Sequence, residues 1–325
     1  MRQKNKENTI VYDLRHACDD MDNNRTRASY VRGSVGFGGY LREQGINKVS
    51  KIPAGRGLSL LQGYADALIT AGKRPDTIHS YLAGACHALG RVMGEKYNLG
   101  DIKKPKRGRS VKGRDFALNS QGKAEAAKPE NARLIAFANS VGIRRSEYGK
   151  VDGRSFKPDE SGYMCIWVKG KGGKSQAQRI LPFALPVVAG QMSTIRGKQH
   201  LFSAADLDNK IDLHSIRRAV ERRSYDYYKH RCNLDPRYRD QLRQELIRRY
   251  DAMHPTGYSN DETTRDRYIR ELTGFKGKYV CRGDNAAALR EQGREVSFDR
   301  LCLMAVSVFH LSHWRSDVTV KHYMI

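Results

Sequence analysis

The sequence of 325 residues predicts a mainly α-helical protein with a small antiparallel β-sheet. Three observations predict it. Apolar residues recur at helical spacing in two early stretches, one from Leu58 to Ala71 and one through Ile78, Tyr81, Leu82, Ala85, Leu89 and Val92. Residues 163–169 alternate instead, with Tyr163, Cys165 and Trp167 on one face, and run into the tight turn KGKGGK (169–174). Residues 179–182 then read as the returning strand of a β-hairpin. From Leu213 onward the pattern is helical again.

In chain order, residues 1–26 are polar and read as a flexible tail. Residues 27–100 read as a helical domain. Tyr30, Val35, Tyr40 and Leu41 would share a helix face there, although Gly33, Gly36, Gly38 and Gly39 weaken that helix. The helix from Leu58 stops at Gly72, and Arg74-Pro75-Asp76-Thr77 is a start signal for the next. Residues 101–128 read as a basic linker. It carries Lys103, Lys104, Lys106, Arg107, Arg109, Lys112 and Arg114, and reads either as a plain connector or as a strap along a phosphate backbone. The second domain spans 129–325, with a helix over 131–141 ended by Gly142. Within it, residues 221–298 are dense in Arg, Tyr, Asp and Glu and broken by Gly257, Gly274, Gly277 and Gly283.

The charge narrows the partner. With 59 Lys and Arg against 35 Asp and Glu, the formal net charge is +24. A chain this basic repels itself unless it meets a polyanion, and nucleic acid is the leading candidate, because neutralising phosphates releases counterions. The longest apolar run, 301–308, is too short to span a bilayer, and residues 1–10 lack the apolar core of a signal peptide. The six cysteines are scattered without a CxxC pair. They read as reduced structural thiols of a cytoplasmic, nucleoid-associated protein, with no metal-ligand spacing.

Four short pieces carry chemistry. They are GIRRSE (142–147), GKG (170–172), HSIR (214–217) and the terminal stretch from His313-Trp314 to Tyr323. In this order they resemble the catalytic domain of the tyrosine recombinase (phage integrase) family: an arginine box, a hairpin lysine, an H-x-[LI]-R box, a later His or Trp, and a tyrosine close to the end. The stretch ALITAGKRPDTIHSYL (67–82) is similar to the family's small DNA-clamping domain, which makes Thr77, His79 and Tyr81 candidate DNA contacts. The resemblance implies a helical DNA-clamping domain followed by the catalytic domain. It also implies site-specific cleavage and rejoining of DNA through a 3′-phosphotyrosyl intermediate, without metal or cofactor. Tyr323 would be the nucleophile, Arg144 and Arg217 the phosphate clamp, Lys171 the general acid and His214 its assistant. Oligomers follow from the same source, a dimer on each site and a tetramer in synapsis, as do accessory DNA-bending proteins.

The residue types suit that chemistry. A phosphodiester under attack by oxygen gains negative charge, and arginines stay protonated and donate paired hydrogen bonds to its non-bridging oxygens. Donors fixed where charge develops supply several kcal/mol of transition-state stabilisation. Alternatives stand beside each assignment. Arg144 could serve only as an ion-pair partner of Glu147, and Arg145 is its neighbour. Lys169 and Lys174 compete with Lys171, and His214 with Arg217 could be a capping and ion-pair set. At the His/Trp box, identity favours His313, whereas the nine-residue separation from Tyr323 favours Trp314. The sequence also departs from the pattern. The 221–298 segment is an insertion before the last box, either a nucleic-acid-contacting subdomain or a packed embellishment. Ser312 stands where the family more often has Gly. Two other functions keep part of the reading: a type IB topoisomerase-like relaxing enzyme, and a non-cleaving DNA-binding regulator.

Overall fold

The computed structural model describes residues 9–106, 120–170, 173–255 and 258–325. The chain divides into two compact units, Met1–Ser110 and Val111–Ile325. Both are mainly helical, and two small antiparallel sheets lie in the second.

The first unit contains α1 (Ile10–His16), α2 (Asn24–Glu43), α3 (Gly57–Thr70) and α4 (Pro75–Met93). Leu14, Phe37, Leu41, Leu61, Ile78, Leu82 and Leu89 form its core. The glycines of α2 do not break the helix; they let it pack. A Cβ on Gly33 would lie 2.4 Å from the Tyr81 carbonyl oxygen, and one on Gly84 would lie 2.4 Å from that of Tyr30. The backbones of α2 and α4 therefore touch, and that contact offsets glycine's poor helix propensity.

Two boundaries differ from the sequence reading. Residues 10–16 are no loose tail: Thr9 caps α1, and Ile10, Leu14 and Cys18 are fully buried. Their i, i+4, i+8 spacing is a helix signal that the polar neighbours obscure. The start of the basic linker is also fastened down. Ile102 enters the core, and Gln62 accepts from the Lys103 backbone N–H at 2.8 Å. Arg107, Arg109, Lys112 and Arg114 lie outside the described residues.

The second unit begins with α5 (Ser120–Ala126), α6 (Ala132–Ser140) and α7 (Arg145–Tyr148). A three-stranded sheet follows in the order β1 (Phe156–Pro158), β2 (Met164–Lys169), β3 (Ser175–Arg179). Cys165 pairs with Arg179 and Lys169 with Ser175, so the hairpin returns earlier than the sequence suggests. Residues 180–182 have already left the sheet, and Pro182 opens a 3₁₀ turn. Next come α8 (Leu185–Met192), α9 (Ala204–Leu207) and the long α10 (Leu213–Leu234). Phe137, Tyr148, Ile166, Val168, Val188, Phe202 and Ile216 fill the core on one side of the sheet.

The segment that interrupts the family pattern is built into the unit. Residues 221–234 continue α10 without a break. Then follow α11 (Pro236–Met253), α12 (Glu262–Leu272), β4 (Lys278–Val280), α13 (Gly283–Glu291), β5 (Ser297–Asp299), α14 (Arg300–Phe309) and α15 (Ser316–Thr319). β4 and β5 pair antiparallel. Tyr228, Leu242, Leu246, Tyr250, Leu289, Phe298, Phe309 and Tyr323 share one core, so the segment packs against the turn that carries the terminal tyrosine. Its helix α11 also meets the sheet. Arg179 of β3 pairs with Asp159 and Glu245 at 2.6 Å each, and Arg249 of α11 pairs with Asp159 at 2.5 Å and with Glu160 at 2.6 Å. This covers part of the second face of β2, at Cys165. Ile166 and Val168 enter the first core, while Cys165 on the opposite face reaches toward Asp159.

His310, at the C-terminal end of α14, is 3% exposed and hydrogen-bonded through Nε2 to the Tyr228 hydroxyl at 3.0 Å. Burial, aided by Arg179 and Arg249, pushes its pKa down from 6.5 to about 3. The unfolded chain therefore takes up this proton before the folded one does. Stability should fall as pH drops below about 6.5, by about 1.4 kcal/mol per pH unit from this group. Urea midpoints between pH 7 and 5 would show it as a steeper loss in the wild type than in His310→Gln; equal slopes would reject the assignment.

Candidate active site

The motif residues of the second unit lie on four separate elements. Arg144 precedes α7 in extended conformation, and Glu147 folds back to cap that helix. Glu147 is 1% exposed; its Oε2 accepts from the Arg144 backbone N–H at 2.7 Å and its Oε1 from the Arg144 guanidinium at 2.6 Å. Arg144 also donates to Gln176 Oε1 at 3.2 Å and contacts His313 Nε2 at 2.9 Å. A guanidinium only donates, so His313 Nε2 is the acceptor and the ring is neutral with its proton on Nδ1. Burial, then Arg217 and Arg144, push the His313 pKa down to about 3, which agrees. Arg145 points elsewhere. It donates to the carbonyls of Leu207 and Ile211 and to Asn209 Oδ1, and so fastens the segment before α10.

Asp212 caps α10 by accepting from the backbone N–H groups of His214 at 3.1 Å and Ser215 at 3.0 Å. His214 and Arg217, three residues apart, then face the same way. Arg217 is completely buried, yet among the described residues none of its three guanidinium nitrogens has a hydrogen-bond partner. Its nearest carboxylates stand off, Glu221 at 3.8 Å and Glu147 at 3.9 Å.

Tyr323 completes the group. It sits in a π-helical turn, Val320–Met324, whose carbonyl ends are held by Arg218 at Ile325 and by Arg222 at Met324. The Tyr323 ring centre lies 5.5 Å from the Arg217 guanidinium carbon, 5.8 Å from the His214 ring and 5.7 Å from the His313 ring. Burial raises the pKa of its phenol, and Arg217 and Arg144 work against that rise. Arg144, His214, Arg217, His313 and Tyr323 are thus brought together.

Trp314 is not among them. Ser312 and Trp314 both adopt left-handed conformations, with φ of 53° and 58°, and the indole turns to Tyr250 at 6.3 Å between ring centres. The nine-residue register that favours Trp314 is therefore set aside by the backbone, which delivers His313 to Arg144 instead. Ser307 holds this loop: its buried hydroxyl accepts from the Arg315 N–H and donates to the Arg315 carbonyl, while its own carbonyl accepts from the His313 N–H. The left-handed φ at Ser312 also explains why glycine suits that position.

Lys171 lies outside the described residues. Lys169 and Lys174 flank the hairpin tip and are exposed. In the first unit, Thr77, His79 and Tyr81 are half-buried on α4. His79 donates to the Pro105 carbonyl at 3.0 Å, and Lys104 to the carbonyls of Leu99 and Ile102, so both are engaged within the unit. Lys103 and Lys106 are exposed. Two site residues escape the motifs, Gln176 and Glu221. Only Glu221 carries a sequence signal, one helical turn after Arg217. Among the described residues, no cluster of His, Cys, Asp and Glu could hold a metal ion, and no helix is long and apolar enough to cross a membrane. All six cysteines are buried free thiols.

No protein-family model and no curated protein matches this sequence. Among solved structures, the chain is similar to XerH site-specific recombinase bound to a palindromic difH substrate in a post-cleavage complex. Identity there is 14%, the TM-score is 0.45, and the match covers 79% of this chain and 90% of that one. It is also similar to the pre-cleavage complex of XerH with difH, at 13% identity and a TM-score of 0.43, over 97% of this chain and 91% of that one. These likenesses are weak, and the chemistry of this chain rests on its own residues.

Proposed function

We propose that this chain is a tyrosine site-specific recombinase that cuts and rejoins double-stranded DNA with Tyr323 as nucleophile. The observation that carries the reading is Arg217, a fully buried guanidinium whose three nitrogens have no hydrogen-bond partner among the described residues, beside the Tyr323 ring. Burying guanidinium N–H groups that make no hydrogen bond is costly, even with carboxylates 3.8 and 3.9 Å away, so such a group suits an anion that arrives from outside. A phosphodiester meets the need: its non-bridging oxygens accept from Arg217 and Arg144. The Tyr323 oxygen attacks phosphorus and gives its proton to His214, a 3′-phosphotyrosyl bond forms, and the 5′-oxygen leaves. Lys171 gives that oxygen its proton, assisted by His214. Attack by the freed 5′-hydroxyl of a second strand reverses these steps and joins the exchanged ends. Joining two duplexes calls for several such sites in one assembly.

The test is a suicide duplex, nicked so that the cut end diffuses away. Wild-type protein should become covalently attached through Tyr323, and sequencing of the attached DNA should return one preferred site. Joint products would separate recombination from simple relaxation of supercoils. Absence of any adduct would leave a DNA-binding protein without cleavage.

His313 and Trp314 are separable in the same assay. His313→Ala should slow cleavage by about 10²–10⁴-fold, the range of a lost acid–base or hydrogen-bonding group. Trp314→Ala should keep cleavage within about tenfold and lower stability by about 1–3 kcal/mol, through lost packing on Tyr250. The reverse pattern would give the role to the indole.

A further inference from the structure

One turn beyond Arg217 on α10 lies a carboxyl that the motifs do not contain. Glu221 is completely buried, and neither of its oxygens has a hydrogen-bond partner among the described residues. Its Oε1 is 3.8 Å from Arg217 Nε. Gly142 makes room for it, since a Cβ there would lie 2.6 Å from Glu221 Oε1 and 3.3 Å from Arg217 Cγ. Glu147 offers a contrast. It is held by both the backbone and the guanidinium of Arg144, and so stays fixed. Among the described residues Glu221 makes its one ion pair with Arg217, the cation that the recombinase reading gives to phosphate. A leucine or methionine would fill this space with less desolvation, so packing alone does not account for a carboxyl.

We infer that Glu221 is a positioning residue for Arg217: ionised, it draws the guanidinium to itself and competes with a DNA phosphate; protonated, it releases the guanidinium to that phosphate. The inference rests on the recombinase reading above. The groups facing Glu221 are Arg217 on its own helix, Arg144 and Tyr148 at α7, and Tyr323 in the terminal turn. Glu147 approaches Arg217 through Nη1, at 3.9 Å, whereas Glu221 approaches Nε. Burial raises the Glu221 carboxyl to about 8, against the pull of Arg217 and Arg144. A phosphate beside the same cation adds a second anion and disfavours the ionised form further. Above that pH, phosphate binding therefore takes one proton from solvent onto the Glu221 carboxylate, and no other bond changes.

The experiment is single-turnover cleavage of the nicked suicide duplex across the neutral and alkaline range. Wild-type cleavage should fall by about tenfold per pH unit above about 8, the slope of one ionisation. Glu221→Gln keeps the shape without the charge and should not fall over that range, which leaves it about tenfold faster than wild type one unit higher. A merely structural role would lower the rate by one factor at every pH, and a profile shifted in that way overturns the inference. Should Glu221→Gln fail to fold, the wild type suffices. Calorimetry at pH about 8, in buffers of different ionisation heat, should show net proton uptake when the duplex binds, and no uptake overturns the inference. An adduct in the wild type with an unchanged profile in the variant overturns this inference alone. No adduct in the wild type at any pH overturns the recombinase reading and this inference with it.

Discussion

A Tyr323→Phe protein should bind duplex DNA like the wild type and form no covalent adduct with it. The change removes one oxygen and leaves the ring that packs among His214, His313 and Arg217. The phosphate clamp stays intact, so affinity should hold within about threefold, while cleavage falls by at least about a thousandfold because the attacking atom is gone. Folding stability should move by no more than about 1 kcal/mol, the net worth of one hydroxyl hydrogen bond. The adduct on a nicked duplex, read on a denaturing gel, is the measurement. Adduct formation at the wild-type rate would remove Tyr323 from the mechanism. Loss of both binding and adduct would mean that the hydroxyl supports the fold of the terminal turn. Because burial already raises this phenol, Tyr323 as the proposed nucleophile would lose its proton as it attacks, and the nearby cations of Arg217 and Arg144 would ease that loss.

How far the site was legible in the sequence depends on what fixes each residue. Arg144, His214, Arg217 and Tyr323 could be picked out because guanidinium, imidazole and phenol are the groups that phosphoryl transfer would need, and the structure brings them together. Arg145 could be set apart only by register, and the structure gives its donors to the carbonyls before α10. The choice between His313 and Trp314 was hidden for a different reason. Counting residues back from the tyrosine assumes a regular path, and two left-handed residues re-aim the loop. Glu221 was in view on the helix, but a lone glutamate in a charged helix reads as a solvated face until burial is known. The mainly helical fold with a small sheet was legible from periodicity. The length of α2 was not, because glycines that weaken an isolated helix become favourable once a second backbone lies on them.

The segment between the two last boxes was the least legible part, and it sets the largest expected effect on stability. Its charges read either as nucleic-acid contacts or as the solvated face of a packed embellishment, yet Arg249 and Glu245 of α11 are each 1% exposed and close a network with Asp159 and with Arg179 of β3. Asp159 is the hub. Its Oδ2 takes a hydrogen bond from both arginines, and its Oδ1 accepts the backbone N–H groups of Ser161 and Tyr163 that shape the turn into β2. Burial alone would raise this carboxyl, but Arg179 and Arg249 hold it below its ordinary value. Asp159→Ala would leave two buried guanidinium groups short of an anion and remove a turn former. It should destabilise the protein by about 3–5 kcal/mol, a large share of an ordinary domain's stability. Urea unfolding at neutral pH measures it, and a loss below about 1 kcal/mol would mean that α11 is not fastened to the sheet by these ions. The sign of the pH effect follows from the lowered carboxyl. The stabilisation is present above the unfolded aspartate's pKa and is lost as pH falls through the folded one, so acid should narrow the gap between wild type and variant. The consequence reaches the active site by alternation along β3. Ala177 and Arg179 face the network, while Gln176, on the opposite face, accepts from Arg144. A helix inserted late in the chain thus helps to fix the strand that orients the first arginine. Asp159→Ala protein that remains folded should cleave more slowly than wild type, although Asp159 itself lies outside the cluster around Tyr323.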